Sequence, residues 1–208
     1  MSEWSPYQDN GGTALAVAGR DFVVLSADTR CSAGYSILSR RVSRVTQLTD
    51  RCCIASCGQL CEIQRLHKRL KLEVRSYAYK HGVSPSVHAL RQFLSVELYE
   101  RRLFPYYTFN ILAGLDDEGA AVVYGYDAIG NTEPLSYAAV GCAAPLVLPA
   151  MDVALRGDAE LDATAVAKLQ LDLLTVAAER EIKTGDFVET FLLTAAGVET
   201  RMATLKQD

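Results

Sequence analysis

The sequence predicts a layered α+β fold, with antiparallel sheets and helices segregated from them rather than wound between parallel strands. Three observations carry this. Apolar runs of strand length come in pairs around short polar turns. The apolar period changes from two residues to 3.6 in two separate blocks. The resulting order is strands, two helices, strands, two helices, strands.

The chain opens with β signals. Thr13 to Ala18 and Phe22 to Asp28 flank Gly19-Arg20-Asp21, which reads as a hairpin. Arg44 to Leu48 and Cys52 to Cys57 repeat the pattern around Thr49-Asp50-Arg51, and Gly58 ends it. From Gln59, Leu60, Ile63, Leu66, Leu70, Val74 and Tyr77 follow helical spacing, and the helix stops near His81-Gly82, where glycine suits a left-handed end. Ser84-Pro85 is the expected start of a second helix, with Ser84 as cap and Val87, Leu90, Leu94 and Leu98 as its apolar stripe.

The second half mirrors the first. Tyr107 to Leu115 and Ala121 to Tyr126 flank Asp116-Asp117-Glu118-Gly119 as a hairpin, and a further strand is expected over 136–140. A short helix follows Ala143, and a longer one is predicted from Asp162 to about Lys183, with Val166, Leu169, Leu173, Val176 and Ala177 inward. Phe187 to Thr194 and Val198 to Leu205 close the chain as a hairpin around Gly197.

Composition bounds the function. The 208 residues are 50% apolar and 22% charged, the profile of one globular domain burying roughly 70% of its unfolded surface. Twenty-one Lys and Arg against 25 Asp and Glu give a net charge of −4, a poor basis for holding nucleic acid or an anionic membrane by bulk electrostatics. No apolar run approaches 18 residues, so no membrane span is expected, and the first twelve residues lack the pattern of a secretory signal. The six cysteines are Cys31, Cys52, Cys53, Cys57, Cys61 and Cys142. The Cys53/Cys57/Cys61 spacing runs across a strand-to-helix change, so they read as small buried hydrophobes, not as a metal site. No metal or cofactor is expected. His67, His81 and His88 read as surface or interface residues, Arg40, Arg41 and Arg44 as a solvated basic edge, and Tyr106 and Tyr107 as exposed contact candidates.

Singly, Gly11-Gly12-Thr13 and Asp28-Thr29-Arg30 are ordinary turn and strand-end signals. In collinear order they carry more. Gly12-Thr-Ala-Leu-Ala16, Leu25-Ser-Ala-Asp-Thr-Arg30, Ser56-Cys-Gly58 and Ala178-Glu-Arg-Glu-Ile-Lys-Thr-Gly-Asp186 together resemble the proteasome beta-subunit family over nearly the whole chain. Phe104 to Gly119, preceded by Arg101-Arg102, and Ser5-Pro-Tyr7 with Asn10-Gly-Gly-Thr13, are similar to one non-catalytic subtype of that family.

The resemblance implies an N-terminal-nucleophile hydrolase fold, a four-layer αββα sandwich of two antiparallel sheets between helix layers. It implies a 1–11 N-terminal extension before a 12–208 subunit domain. Active members attack with an N-terminal Thr freed from a Gly–Thr bond, whose own α-amine takes the hydroxyl proton. In them the nucleophile stands sixteen positions before the strand-end Asp and a lysine sixteen after it. Counting from Asp28 gives Gly12 and Arg44. Gly12 has no side chain, and Arg44 does not deprotonate. Cys142 stands where active members have Ser, Glu181 where they have Asp and Thr184 where they have Ser, while Asp28 and Gly58 match. The expectation is a non-catalytic subunit. It would work with other alpha and beta subunits: ring neighbours beta-5 and beta-7, an alpha ring on one face and the opposite beta ring, in cytoplasm and nucleus. The alternative is an active peptidase using Thr13 after cleavage of Gly12–Thr13. Thr13 lies one residue too near Asp28 for that, and on a strand a one-residue shift reverses the face.

Overall fold

A computed structural model describes residues 5–156 and 161–207; the first four residues of the expected 1–11 extension lie outside them. In chain order come strands β1 (Thr13–Ala18), β2 (Val23–Asp28), β3 (Cys31–Ala33), β4 (Ser36–Ser39), β5 (Val45–Thr49) and β6 (Cys52–Gly58), then helices α1 (Leu60–His81) and α2 (Val87–Glu100). Strands β7 (Thr108–Leu115), β8 (Ala121–Tyr126), β9 (Thr132–Leu135) and β10 (Tyr137–Gly141) follow, then α3 (Ala144–Ala154), α4 (Ala163–Ala178), β11 (Phe187–Thr194) and β12 (Gly197–Thr204). Two antiparallel five-stranded sheets result, ordered β10-β1-β2-β11-β12 and β5-β6-β7-β8-β9, with β3–β4 as a separate hairpin.

Alternation along the strands builds three cores in four layers. Ala14, Ala16, Leu25 and Ala27 of one sheet meet Cys53, Ala55, Ile111 and Ala113 of the other. Leu15, Val17, Val24 and Val188 point the opposite way, onto Val147 and Met151 of α3 and Val166 and Leu174 of α4. On the far side, Ile54, Leu112 and Tyr124 pack against Leu66, Leu70 and Val74 of α1 and Leu90, Leu94 and Leu98 of α2. Strands covered on both faces need apolar side chains at successive positions, which is why β1, β2 and β6 read as continuous apolar runs. The chain is an αββα sandwich.

The differences from expectation have local causes. The cap of α2 is Ser86, whose side chain accepts from the Ala89 N–H, so Pro85 lies before the helix and not in its first turn. Helix α4 ends at Ala178, five residues short of Lys183, and its buried stripe is Val166, Gln170, Leu174 and Ala177. Leu169 and Leu173 are only half-buried and Val176 is exposed, because Gln170 turns inward and donates its amide to the Val24 carbonyl. The β3–β4 hairpin and β9 were not foreseen: one is very short and the other, a sheet edge, contains Pro134. Tyr106 is buried and Tyr107 half-buried, with the Arg101 guanidinium over the Tyr106 ring. Cys61 is exposed and Cys142 half-buried, unlike the other four cysteines.

His67 is buried rather than superficial. Its Nε2 stands 2.8 Å from Ser56 Oγ and its Nδ1 3.0 Å from Thr46 Oγ1. Ser56 donates onward to Asn110 Oδ1 at 2.6 Å, so Nε2–H is the donor to Ser56 and Nδ1 accepts from Thr46. Burial lowers the His67 pKa to about 4, with the charge of Lys71 acting the same way.

Candidate functional site

The ends of several strands meet at one edge of the sandwich. Gly12 immediately precedes β1, Asp28 ends β2, Arg44 immediately precedes β5, Gly58 ends β6, and Cys142 follows β10. Thr184 lies in the turn between α4 and β11. Six of the seven site positions named from the sequence come together there; Glu181 stands at the margin, its carboxylate accepting the Lys183 N–H at 3.0 Å.

Asp28 organises the centre. Its Oδ1 accepts from the Thr13 N–H at 2.8 Å and from Arg44 Nε at 3.2 Å, and its Oδ2 from Gly185 N–H at 3.1 Å and Arg30 N–H at 3.3 Å. Burial pushes this carboxyl above the ordinary carboxylate range, against the pull of Arg44 and the three N–H donors. Arg44 is not part of a solvated edge: it is 1% exposed. Its Nη2 donates to the carbonyls of Arg30 and Asn10, and Nη1 is buried without a hydrogen-bond partner among the described residues. The cluster predicted at 40–44 therefore divides, with Arg44 turned inward and Arg40 half-exposed against Asp186.

Gly12 adopts φ +90°, a conformation that side chains disfavour, and a Cβ placed on it would overlap Nε, Cζ and Nη2 of Arg44. The guanidinium thus occupies the space that a residue-12 side chain would need. Gly141, at φ +100°, lets the Gly12 carbonyl approach, and that carbonyl accepts from the Cys142 N–H at 2.9 Å.

Thr13 faces the other way. It is fully buried, on the strand face of Leu15 and Val17, and its Oγ1 accepts from the Ala143 N–H at 3.0 Å and lies 2.8 Å from Thr184 Oγ1. Both hydroxyls are committed to the layer between the sheet and α3.

Sequence reasoning missed the segment that crosses the site. Asn10 N–H donates to the Gly58 carbonyl, its carbonyl accepts from Ser32 N–H, its Nδ2 donates to the Ser32 carbonyl, and its Oδ1 accepts from Leu60 N–H at the start of α1. The Gly58 N–H is directed to the Gly11 carbonyl at 3.5 Å. Asp9 Oδ2 pairs with Lys183 Nζ at 2.6 Å. Desolvation pushes the Asp9 carboxyl up, but Lys183 and the Gly11 N–H outweigh it and hold it below its usual value. Beside this pair is a cleft of about 410 Å³ lined by Gly58, Tyr107, Phe109, Val140, Cys142 and Pro145. Burial, with the Asp9 charge, raises the Cys142 thiol to about 11, so it stays protonated at neutral pH. The one sequence signal for the segment was Asn10 ahead of two glycines, a turn-forming pattern with no indication of its partners. Among the described residues, no three His, Cys, Asp or Glu side chains group as metal ligands would.

An αββα sandwich whose strand ends carry this arrangement belongs to a definite class. The family model "Proteasome subunit" matches residues 8–192, and the chain belongs to the proteasome subunit family. Full-length relatives narrow the likeness to the beta type-1 subunits. The chain is 41% identical over 219 residues to proteasome subunit beta type-1 of Arabidopsis thaliana, covering 100% of this chain and 98% of that one. The Drosophila melanogaster beta type-1 subunit is 40% identical over 216 residues (99% and 92% covered), and that of Dictyostelium discoideum 40% over 211 residues (97% and 89%).

Proposed function

We propose that this chain is a non-catalytic beta subunit of the 20S proteasome core, at the beta-6 position. Its work is architectural: it completes the beta ring and lines the chamber in which other subunits cut peptide bonds. In this reading its ring neighbours are beta-5 and beta-7, with an alpha ring on one face and the opposite beta ring on the other. The particle degrades proteins in cytoplasm and nucleus, and the chain needs no cofactor. The likeness to beta type-1 subunits over the full chain supports the assembly role.

One observation carries the lack of catalysis. The Arg44 guanidinium lies where a residue-12 side chain would stand, while the Gly58 N–H donates to the Gly11 carbonyl. At this centre a nucleophile has neither atoms nor room. Thr13 does not substitute, since its hydroxyl is bonded to Thr184 and Ala143 on the opposite strand face. Native mass spectrometry of complexes isolated through the tagged chain tests the reading. A hetero-oligomer of alpha and beta subunits is expected; a monomer, or a homo-oligomer that cleaves peptides, overturns it.

A further inference from the structure

The basic run at 40–44 is only partly absorbed by the closed centre. Arg44 is buried there, whereas Arg40 is half-exposed and Arg41 and Ser43 are exposed. The segment runs between β4 and β5, outside their ladders. It is held by the Val42 N–H donating to the Thr29 carbonyl at 3.0 Å and by Thr29 Oγ1 donating to the Arg40 carbonyl at 2.7 Å. Two of its exposed side chains reach β11. The Arg41 guanidinium lies 4.7 Å from the centroid of the Phe187 ring. Ser43 Oγ accepts from the Val45 N–H at 3.4 Å and donates to Glu189 Oε2 at 2.5 Å, the length of a charge-assisted bond. Ser43 also stands three residues after Arg40 and two after Arg41. The chain's other consecutive pair of arginines, Arg101-Arg102, leads into Leu103 and Phe104 and has no hydroxyl at the equivalent place.

We propose that Ser43 is a phosphorylation site for a basophilic serine kinase, and that the phosphate detaches segment 40–44 from β11 by repelling Glu189. An acidic peptide cleft recognises two guanidinium groups just ahead of an exposed hydroxyl, the charge pattern that Arg40, Arg41 and Ser43 present. In the transfer the bond from Ser43 Oγ to the γ-phosphorus of ATP forms and the β,γ-anhydride bond breaks. ADP leaves, and the hydroxyl proton passes to the kinase's aspartate. The product carries a charge of about −1.5 to −2 at neutral pH on acceptor oxygens. A donor at hydrogen-bond distance from the Glu189 carboxylate thus becomes a like charge, and the tie to β11 becomes a repulsion. Arg41 gains a bidentate partner in its own segment and leaves the Phe187 ring for it. Ser43 adjoins Arg44, so the loosened segment is the one that seats the guanidinium in the centre. The modification concerns the chain by itself and does not depend on the assembly reading.

The test incubates the full-length chain with ATP and the catalytic subunit of cAMP-dependent protein kinase, a basophilic enzyme, and locates phosphate by peptide mass spectrometry. One phosphate, on Ser43, is expected. Ser43→Ala takes none, Arg41→Gln slows the transfer about tenfold, and Ser36→Ala in β4 leaves it unchanged. Urea unfolding reads the second half of the proposal. Phosphorylation lowers the midpoint of the unsubstituted chain, and lowers it by less than half as much in Glu189→Gln, where no carboxylate opposes the phosphate. Phosphate on Ser36 or Ser39 instead of Ser43 overturns the proposal, as does phosphate on a synthetic peptide of residues 36–48 but not on the folded chain. An equal fall in midpoint with and without the Glu189 carboxylate also overturns it.

Discussion

Arg44 and Gly12 share one volume: the guanidinium that pairs with Asp28 at 3.2 Å lies where a side chain on residue 12 would have to stand. In the reading proposed above, this centre has neither nucleophile nor lysine and is closed by a buried ion pair. The pair also ties β2 to the segment ahead of β1 through the Arg30 and Asn10 carbonyls.

Mutual exclusion predicts coupling. Gly12→Ala brings φ +90° and the overlap with Arg44, and is expected to cost about 1–3 kcal/mol. In Arg44→Ala/Gly12→Ala the overlap is gone, so the double variant loses less than the sum of the single ones. Urea unfolding of the four proteins measures this; strict additivity contradicts it.

Arg44→Met leaves the Asp28 carboxyl buried without its cationic partner. The expected loss is about 3–5 kcal/mol, the range for breaking a buried pair from one side. Arg44→Lys retains part of it, since an ammonium keeps the charge but not the fork that reaches two carbonyls. The same unfolding series ranks the two, and Arg44→Lys as damaging as Arg44→Met contradicts the account.

Asn10→Ala removes the bond to Leu60 at the start of α1 and the bond to Ser32. A loss of about 0.5–2 kcal/mol is expected. Limited proteolysis followed by mass measurement should show faster cutting around residues 9–12 in the variant, and equal rates contradict this.

His67 sets a pH dependence. Its pKa is about 4 in the fold and about 6.5 in the unfolded chain, so the unfolded state binds the proton first. Its contribution is complete above about pH 6.5 and is lost as pH falls towards 4. The shift corresponds to about 3 kcal/mol. Denaturant midpoints between pH 4 and 7 should fall on acidification, and His67→Gln should flatten the slope across that window. An unchanged slope contradicts the buried neutral state.

Much of this fold was legible because both sheets bury two faces and the helices one. Runs such as Thr13 to Ala18 and the stripe Val87, Leu90, Leu94, Leu98 announce their elements locally. What was not legible depends on distant partners. His67 sits among Lys68 and Arg69 in sequence and reads as surface, yet its bonds go to Ser56 on β6 and Thr46 on β5. Gln170 in place of Leu169 on the buried face of α4 depends on the carbonyl of Val24. At the site, spacing from Asp28 indicated Gly12 and Arg44, but no local pattern shows a guanidinium filling a missing side chain. The roles of Asn10 and Lys183 exist only once the strand ends converge.

The central claim is tested most directly by the intact mass of this chain from the native particle, after treatment with an epoxyketone that modifies N-terminal threonines. The account predicts a chain that retains Gly12 ahead of Thr13 and carries no label. A chain beginning at Thr13 and bearing the label would contradict it.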